Sequence, residues 1–320
     1  MPDFAIWPDC NIGCVFCSNP VEGFRGTTEK YSYAVIARKI LEYKAGYRRF
    51  LKFDSVSDYF NLTGGEPTLH PEFHRILALV RREFPGRMIR LLTNGRMFAY
   101  ESFCERVFGI AQTPFAAAIP LFGHDARTHE ATARAPGSFE QTVLGLRHAL
   151  RHRRPGQAVE VRIILTRIQM KSLKSTLEFV HREFPEVDRV CLLFVELEGF
   201  AERYRNQVSM TMTECARGLD GCYEALSQLR EARLYHFPLC VLPERLWPFV
   251  YNTLDGIKVT SVESECPRCV YRGRCVGVHR SYLRHAGAPD IRAIAAPRAV
   301  RETGDRYHPF AADDKEPRPT

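Results

Sequence analysis

Residues 8–20 read PDCNIGCVFCSNP, and three thiols, Cys10, Cys14 and Cys17, fall there with the spacing C-x3-C-x2-C. Thiolates this close can wrap a four-iron cubane: three irons take protein ligands and the fourth keeps the open position a catalytic metal needs. Tetrahedral zinc is the competing reading, and it needs a fourth ligand. No His or Cys follows within a dozen residues of Cys17, and the nearest acids are Asp9 and Glu22. A second tight group, Cys266, Cys269 and Cys275, has the spacing C-x2-C-x5-C, with Cys240 upstream and His279 downstream. A zinc ribbon is the alternative there, because zinc is served equally by four thiolates or by three and an imidazole. Between the two groups lies Gly64-Gly65-Glu66-Pro67, a turn with one carboxylate.

Four cysteines remain, Cys104, Cys191, Cys215 and Cys222. Buried, inert thiols are the default for free cysteine. Cys215 and Cys222 are seven apart on one expected helix face, and Cys222 is a candidate hydrogen-atom donor. Glu196 and Glu198 close an apolar run on one face, so either can reach a substrate. Glu196 is taken as the catalytic candidate. His148 and His152, four apart, are a metal-pair candidate but adjoin the run Arg151, His152, Arg153 and Arg154, and solvent is the simpler neighbour.

The composition is that of a globular protein: 320 residues, 45% hydrophobic, 26% charged, net charge +8. No run of about eighteen apolar residues occurs, so no membrane span is expected. The first ten residues, MPDFAIWPDC, lack a basic region followed by an apolar stretch, so no secretory signal is read there and a cytoplasmic location is expected. Thiols stay reduced in that compartment. Eleven cysteines, an odd number, then point to metal or catalysis rather than disulfides. The arginine run fits a solvated helix end or an electrostatic footprint for an acidic partner. No base-stacking aromatic pattern accompanies it, which argues against nucleic acid.

The elements that must position these residues alternate. Strands are expected at 4–7, 58–62, 87–95, 114–123, 159–167 and 187–199, and helices at 29–46, 71–84, 138–152, 172–184 and 211–231. Strands separated by helices imply parallel βαβ units. Six such strands predict an α/β fold, a partial (β/α)6 barrel of the TIM type open on one side. The cysteine loop, Gly64–Pro67, Thr93-Asn94-Gly95 and Glu196 all fall at C-terminal strand ends, where such folds carry their chemistry. The expected division is a barrel over 1–232, a small Cys-rich module over 233–285, and a loosely held extension over 286–320.

The C-x3-C-x2-C loop, with Phe16 before its last cysteine, resembles the radical S-adenosylmethionine superfamily, and the GGEP stretch after the second strand resembles that family's second motif. The resemblance implies a [4Fe-4S] cluster on Cys10, Cys14 and Cys17, whose open iron chelates S-adenosylmethionine. It also implies cofactor contacts from Phe16, Gly64, Gly65, Glu66, Pro67 and Asn94, with Ala118-Ile119-Pro120 as further candidates. The two glycines would let backbone approach the ligand, and the Glu66 carboxylate would suit an ammonium.

Cys266 to Cys275 resembles the auxiliary-cluster segment of SPASM and Twitch domains, with His279 where those carry a fourth cysteine. That implies one auxiliary [4Fe-4S] cluster, with Cys240 as its fourth ligand and His279 as the second choice. Segments such as NLTGGEPTLHPEF and HFPLCVLPERLWPFV are similar to the radical maturase of the His-Xaa-Ser peptide system. The implied substrate is a peptide, acidic in keeping with the net charge, modified by crosslinking, epimerisation or oxidation. Implied partners are a flavodoxin- or ferredoxin-type electron donor and a separate leader-peptide-binding protein, since no domain precedes Cys10. Radical chemistry on a small metabolite, such as a sugar or nucleoside, is the second reading. A non-enzymatic zinc or redox-sensing protein is the third.

Overall fold

The computed structural model describes residues 3–18, 28–47, 59–253 and 258–312. Glu22 and the closing DDKEPRPT lie outside the described residues. Among these residues eight strands form one sheet in chain order: β1 (Asp3–Trp7), β2 (Tyr59–Gly64), β3 (Met88–Leu92), β4 (Phe115–Pro120), β5 (Gln157–Leu165), β6 (Arg189–Phe194), β7 (Ala232–Tyr235) and β8 (Val250–Tyr251). Every neighbouring pair is parallel. The six expected strands are β1–β6. Beyond them β7 and β8 carry the sheet past residue 232 to Tyr251. They are short, four and two residues, too brief for an apolar alternation to register in sequence.

Between the strands lie α1 (Tyr33–Lys44), α2 (Phe73–Glu83), α3 (Glu101–Ala111), α4 (Ala126–Ala133), α5 (Ser138–His152), α6 (Arg167–Met170) and α7 (Leu173–Glu183). After β6 come the single turns α8 (Phe200–Arg203) and α9 (Arg205–Val208), then α10 (Met212–Asp220) and α11 (Tyr223–Gln228). The helix expected over 211–231 is broken in two at Gly221 and Cys222. Its start is a capping box: the Thr211 hydroxyl accepts from the Glu214 amide, and Glu214 accepts from the Thr211 amide.

Alternate strand residues such as Phe60, Leu62, Ile89, Leu91, Val161 and Ile163 face the helices and form the main core with them. The other set faces inward and is strongly charged: Arg90, Glu160, Arg162, Arg189 and Arg233 meet there.

The segment after residue 286 corrects the expectation of a loose extension. Following α12 (Arg280–Ala286), the chain buries Ile291 and Phe310, and Phe310 packs on Trp247 and Tyr271. Few aliphatics suffice because these are large and well placed. The arginine run is held by carboxylates at the surface. Arg151 and His152 both meet Glu101, at 2.8 and 3.0 Å, and Arg153 meets Asp188. His148 bonds the Phe98 carbonyl at 2.8 Å instead of pairing with His152 on a metal.

Arg81 ties two loops together and meets no acid among the described residues. From the end of α2 its buried guanidinium donates to the carbonyls of Pro85 (2.9 Å), Arg87 (3.1 Å), Pro114 (2.7 Å) and Ala111. These carbonyls precede β3 and β4, so one side chain sets where both strands begin. Arg81→Met keeps the apolar stem but strands these acceptors, at a cost of about 2–4 kcal/mol. Denaturant titration should show that loss; a change within about 0.5 kcal/mol, the usual range for a neutral surface change, would contradict the clamp.

Candidate active site and a second cysteine cluster

The cysteine loop leaves β1 and is pinned from two other strand ends. The Gly13 amide donates to Ala133 O (2.8 Å) and the Val15 amide to Thr132 O (3.1 Å), both at the end of α4. The Phe200 amide donates to Cys17 O at 2.8 Å, from the loop after β6. Gly199 is required at that junction: its φ is +59°, and a Cβ would lie 2.7 Å from Cys17 O. The Phe16 ring meets Phe122 edge-on at 5.1 Å, beside the buried Cys14.

No disulfide joins the three thiols. Burial pushes the Cys10 thiol up to about 11, helped by the neighbouring Glu66 and Cys17. Burial raises Cys14 further, and Cys17 and Cys10 add to it. Desolvated thiols that disfavour one another's charge become thiolates only against a cation, so this donor set fits a metal cluster. Among the described residues no three His, Cys, Asp or Glu side chains converge on a single-ion position. A cubane needs no such point, because each cysteine binds a different iron.

The GGEP turn lies against this loop. Gly65 N donates to Trp7 O and Glu66 N to Asp9 O, each at 2.7 Å. A Cβ on Gly64 would stand 2.3 Å from Trp7 O, and one on Gly65 2.4 Å from Asp9 O. The close approach these glycines permit is therefore to the backbone of the cysteine loop, a different partner from the ligand expected in sequence. Pro67 opens a buried single turn, Pro67–Leu69.

Glu66 is 1% exposed. Its Oε1 accepts from Thr93 Oγ1 (2.6 Å), Thr68 N (3.1 Å) and Thr68 Oγ1, and its Oε2 from Asn94 N (2.6 Å). Burial raises its pKa, and these donors oppose the rise. Asn94 in turn donates from Nδ2 to Asn11 Oδ1 at 2.6 Å, and the same nitrogen is 3.8 Å from Cys10 Sγ. Arg96 donates to Asn11 O and to Gln141 Oε1. The first motif, the GGEP turn and Asn94 thus form one continuous hydrogen-bonded unit. On β4, Ala118 and Pro120 stand in register with Glu160 and Arg162 of β5.

His129 belongs to the same neighbourhood and went unread in sequence. It is 2% exposed, and its Nδ1 accepts from Phe122 N at 3.2 Å. Burial, with Arg96 nearby, pushes it down to about 4. The available signal was Asp125-x-x-Thr128, where the Asp125 carboxylate caps α4 and fixes the helix that carries His129.

Cys240, Cys266, Cys269 and Cys275 line one cavity of about 250 Å³, walled by residues such as Leu239, Val278 and Ile291. Backbone amides aim at two of the sulfurs: Val262 N lies 3.2 Å from Cys266 and Gly277 N 3.4 Å from Cys275. Burial pushes Cys275 up to about 11 and also raises Cys240, to which Cys269 and Cys266 add. Four thiols around one space, with amides directed at sulfur, is a donor set suited to a closed cluster.

His279, the second choice as fourth ligand, points elsewhere. Its Nδ1 caps α12 by accepting from Ser281 N at 3.1 Å, and its Nε2 lies 3.7 Å from Glu196. Cys222 also departs from expectation: it sits in the break between α10 and α11, in the outer helical layer near Lys174 and Glu178 of α7. An apolar helix face buried it there, away from the inner face of the sheet. Glu196 does reach the strand-end mouth, but Lys258 Nζ holds its Oε2 at 2.6 Å and His236 and His279 flank its Oε1. Burial would raise its pKa, yet His236, Lys258 and His279 beside it bring it below the usual range.

The model of the Radical SAM superfamily matches residues 5–180. That is more than half of the chain, and the chain belongs to this family of iron–sulfur, S-adenosylmethionine-dependent enzymes. No curated protein matches significantly. Among solved structures, Streptococcus suis SuiB bound to precursor peptide SuiA is similar at 11% identity and TM-score 0.51, over 72% of this chain and 47% of that one. Native anSMEcpe with bound AdoMet and a Kp18Cys peptide is similar at 13% identity and TM-score 0.51, over 72% of this chain and 62% of that one. The chain thus spans about half to three-fifths of those proteins, and at these identities the likeness is one of fold. No helix among the described residues is long and apolar enough to cross a membrane.

Two buried histidines set an acid limit. An unfolded histidine takes a proton near pH 6.5, whereas burial holds folded His129 and His236 near 4. The unfolded chain therefore binds more protons in that window, and stability falls as pH drops from about 6.5 toward 4. His129→Gln should flatten part of the slope of melting temperature against pH. An unchanged slope would show that His129 is not held neutral.

Proposed function

We propose that this chain cleaves S-adenosylmethionine reductively and abstracts a hydrogen atom from a peptide substrate. The observation that carries the radical half is the single unit formed by the cysteine loop, Glu66 and Asn94. When bound, a reduced [4Fe-4S] cluster would supply the one electron that breaks the sulfonium C–S bond of S-adenosylmethionine into methionine and the 5′-deoxyadenosyl radical. Cys10, Cys14 and Cys17 would hold that cluster. Glu66, fixed by four donors, would keep the backbone of the GGEP turn in place for the cofactor's amino group. Asn94 would orient the loop through Asn11 and face the first cysteine. Phe16, packed on Phe122, would close the apolar side of the site and exclude water.

The peptide half is supported by the two fold relatives, each of which was solved with a peptide. It is also supported by the positive charge of the chain. The reaction on that peptide would be a crosslink, an epimerisation or an oxidation. We assign Cys240, Cys266, Cys269 and Cys275 to one auxiliary [4Fe-4S] cluster, saturated by protein, which suits electron relay better than substrate ligation. Glu196 would position Lys258 and His279 at the mouth of the barrel. A flavodoxin- or ferredoxin-type protein would be the electron source.

Iron and sulfide analysis after anaerobic reconstitution tests the assignment. The wild type should hold about eight irons, two four-iron clusters, and about four after Cys10, Cys14 and Cys17 are changed to Ala. Cys240→Ala should alter the auxiliary cluster's spectrum, whereas His279→Ala should leave it unchanged. Four irons falling to none would remove the auxiliary cluster from the account. For the substrate, 5′-deoxyadenosine release should rise with a pool of short acidic peptides and not with sugars or nucleosides; the reverse would favour a metabolite.

A further inference from the structure

One arginine grips the cysteine loop through neutral partners alone. Arg96 follows the left-handed turn at Gly95, whose φ is +78°, and opens a single turn, Arg96–Ala99, after β3. Its Nη1 donates to the carbonyl of Asn11, the residue after Cys10. Its Nε donates to Gln141 Oε1 at 2.6 Å, so α5 fixes the guanidinium from behind. The Asn11 side chain is held as well: Asn94 Nδ2 donates to its Oδ1 at 2.6 Å and lies 3.8 Å from Cys10 Sγ. Among the described residues no carboxylate pairs with Arg96.

The other charged groups around the loop do not duplicate it. Glu66, buried behind the loop, is an acid and helps push the Cys10 thiol up. Asp9 precedes Cys10 in the chain and is a second acid. Arg134 stands beside Gly13 but directs its guanidinium to the Tyr204 hydroxyl at 2.9 Å. His129 is held neutral by burial and by Arg96 itself. Three thiolates and Glu66 therefore gather negative charge at this loop, and one fixed cation faces it. A neutral donor would suffice to tie down the Asn11 carbonyl. A guanidinium adds a permanent charge in a half-buried place, where charge acts more strongly than in water.

We propose that Arg96 is a positioning residue whose charge, fixed at the Asn11 carbonyl, makes electron uptake at the Cys10–Cys17 site more favourable. The inference rests on the radical reading above. Reduction adds one electron, supplied by the donor protein or by dithionite, and makes the site more negative. A nearby cation stabilises the reduced form more than the oxidised one and so raises the potential, because net charge around a cluster is one of the levers that set it.

The test is an anaerobic redox titration of the reconstituted full chain, followed by electron paramagnetic resonance and needing no substrate. The first cluster's signal is the one that Cys14→Ala abolishes. Arg96→Gln should make its one-electron reduction about tenfold less favourable, a fall of about 59 mV in midpoint. Arg96→Lys, which keeps the charge, should recover about half of that fall or more. Gln141→Glu sets a carboxylate against the guanidinium without removing it, and should move the midpoint the same way. The second cluster's midpoint should stay where it is. An unchanged first midpoint in Arg96→Gln would overturn the proposal and leave a structural clamp, even with a lower melting temperature. Where Arg96→Gln takes up no first cluster, an unchanged midpoint in Gln141→Glu would overturn it instead. Equal falls in Arg96→Lys and Arg96→Gln would also overturn it, because charge would not be the cause. So would an unchanged midpoint with a tenfold loss of S-adenosylmethionine affinity, which would make Arg96 a cofactor ligand. A wild type with no signal that depends on Cys14 would sink the radical reading itself, and this inference with it.

Discussion

One buried carboxylate holds the reactive end of this barrel together. Glu66 leaves β2 and accepts hydrogen bonds from the loop after β3, through Thr93 and Asn94, while its own amide donates to Asp9 beside the first cysteine. Three consecutive βα junctions are thereby locked at one point. A buried carboxylate is tolerable only when its acceptor capacity is used, and here four donors use it. Placing a cubane and its ligand requires positions fixed within fractions of an ångström. A charged knot at the strand ends fixes them better than apolar packing, which tolerates repacking.

The same device recurs at the far side of the mouth. Glu196, just after β6, meets Lys258, His236 and His279, and the Leu197 amide donates to Ser281 Oγ at 3.0 Å. Those partners lie next to the Cys-rich segment. That segment is therefore set against the sheet by polar bonds as well as by the Trp247, Tyr271 and Phe310 group. His236 adopts φ of +73°, a backbone state uncommon for a non-glycine residue, and its Nδ1 meets Phe194 O at 3.1 Å. The strand ends of β6 and β7 are thus specified as tightly as those of β2 and β3.

Much of this was legible in the chain itself. Apolar alternation located β1–β6, and helical periodicity located α1, α2, α5 and α7. Spacing singled out both cysteine groups, because a short loop can present several thiols to one cluster. Strands β7 and β8 were not legible because they are too short to show a period. The break at Cys222 was hidden because its surroundings continue a helical pattern. The true partners of the GGEP glycines and of Glu66 were also hidden. A sequence shows that a carboxylate is present, but not that Thr68, Thr93 and Asn94 consume it. Cys240 is preferred over His279 in sequence already; what the coordinates add is that His279 Nδ1 caps α12.

The central claim is that the Cys10–Cys17 loop and the turn at Glu66 form a centre that cleaves S-adenosylmethionine. The most direct measurement is 5′-deoxyadenosine released anaerobically from S-adenosylmethionine and dithionite by the reconstituted protein. The wild type should release it, and a Cys14→Ala variant that keeps its auxiliary cluster should not. Equal release by both, or none by an iron-loaded wild type with or without peptide, would contradict the account.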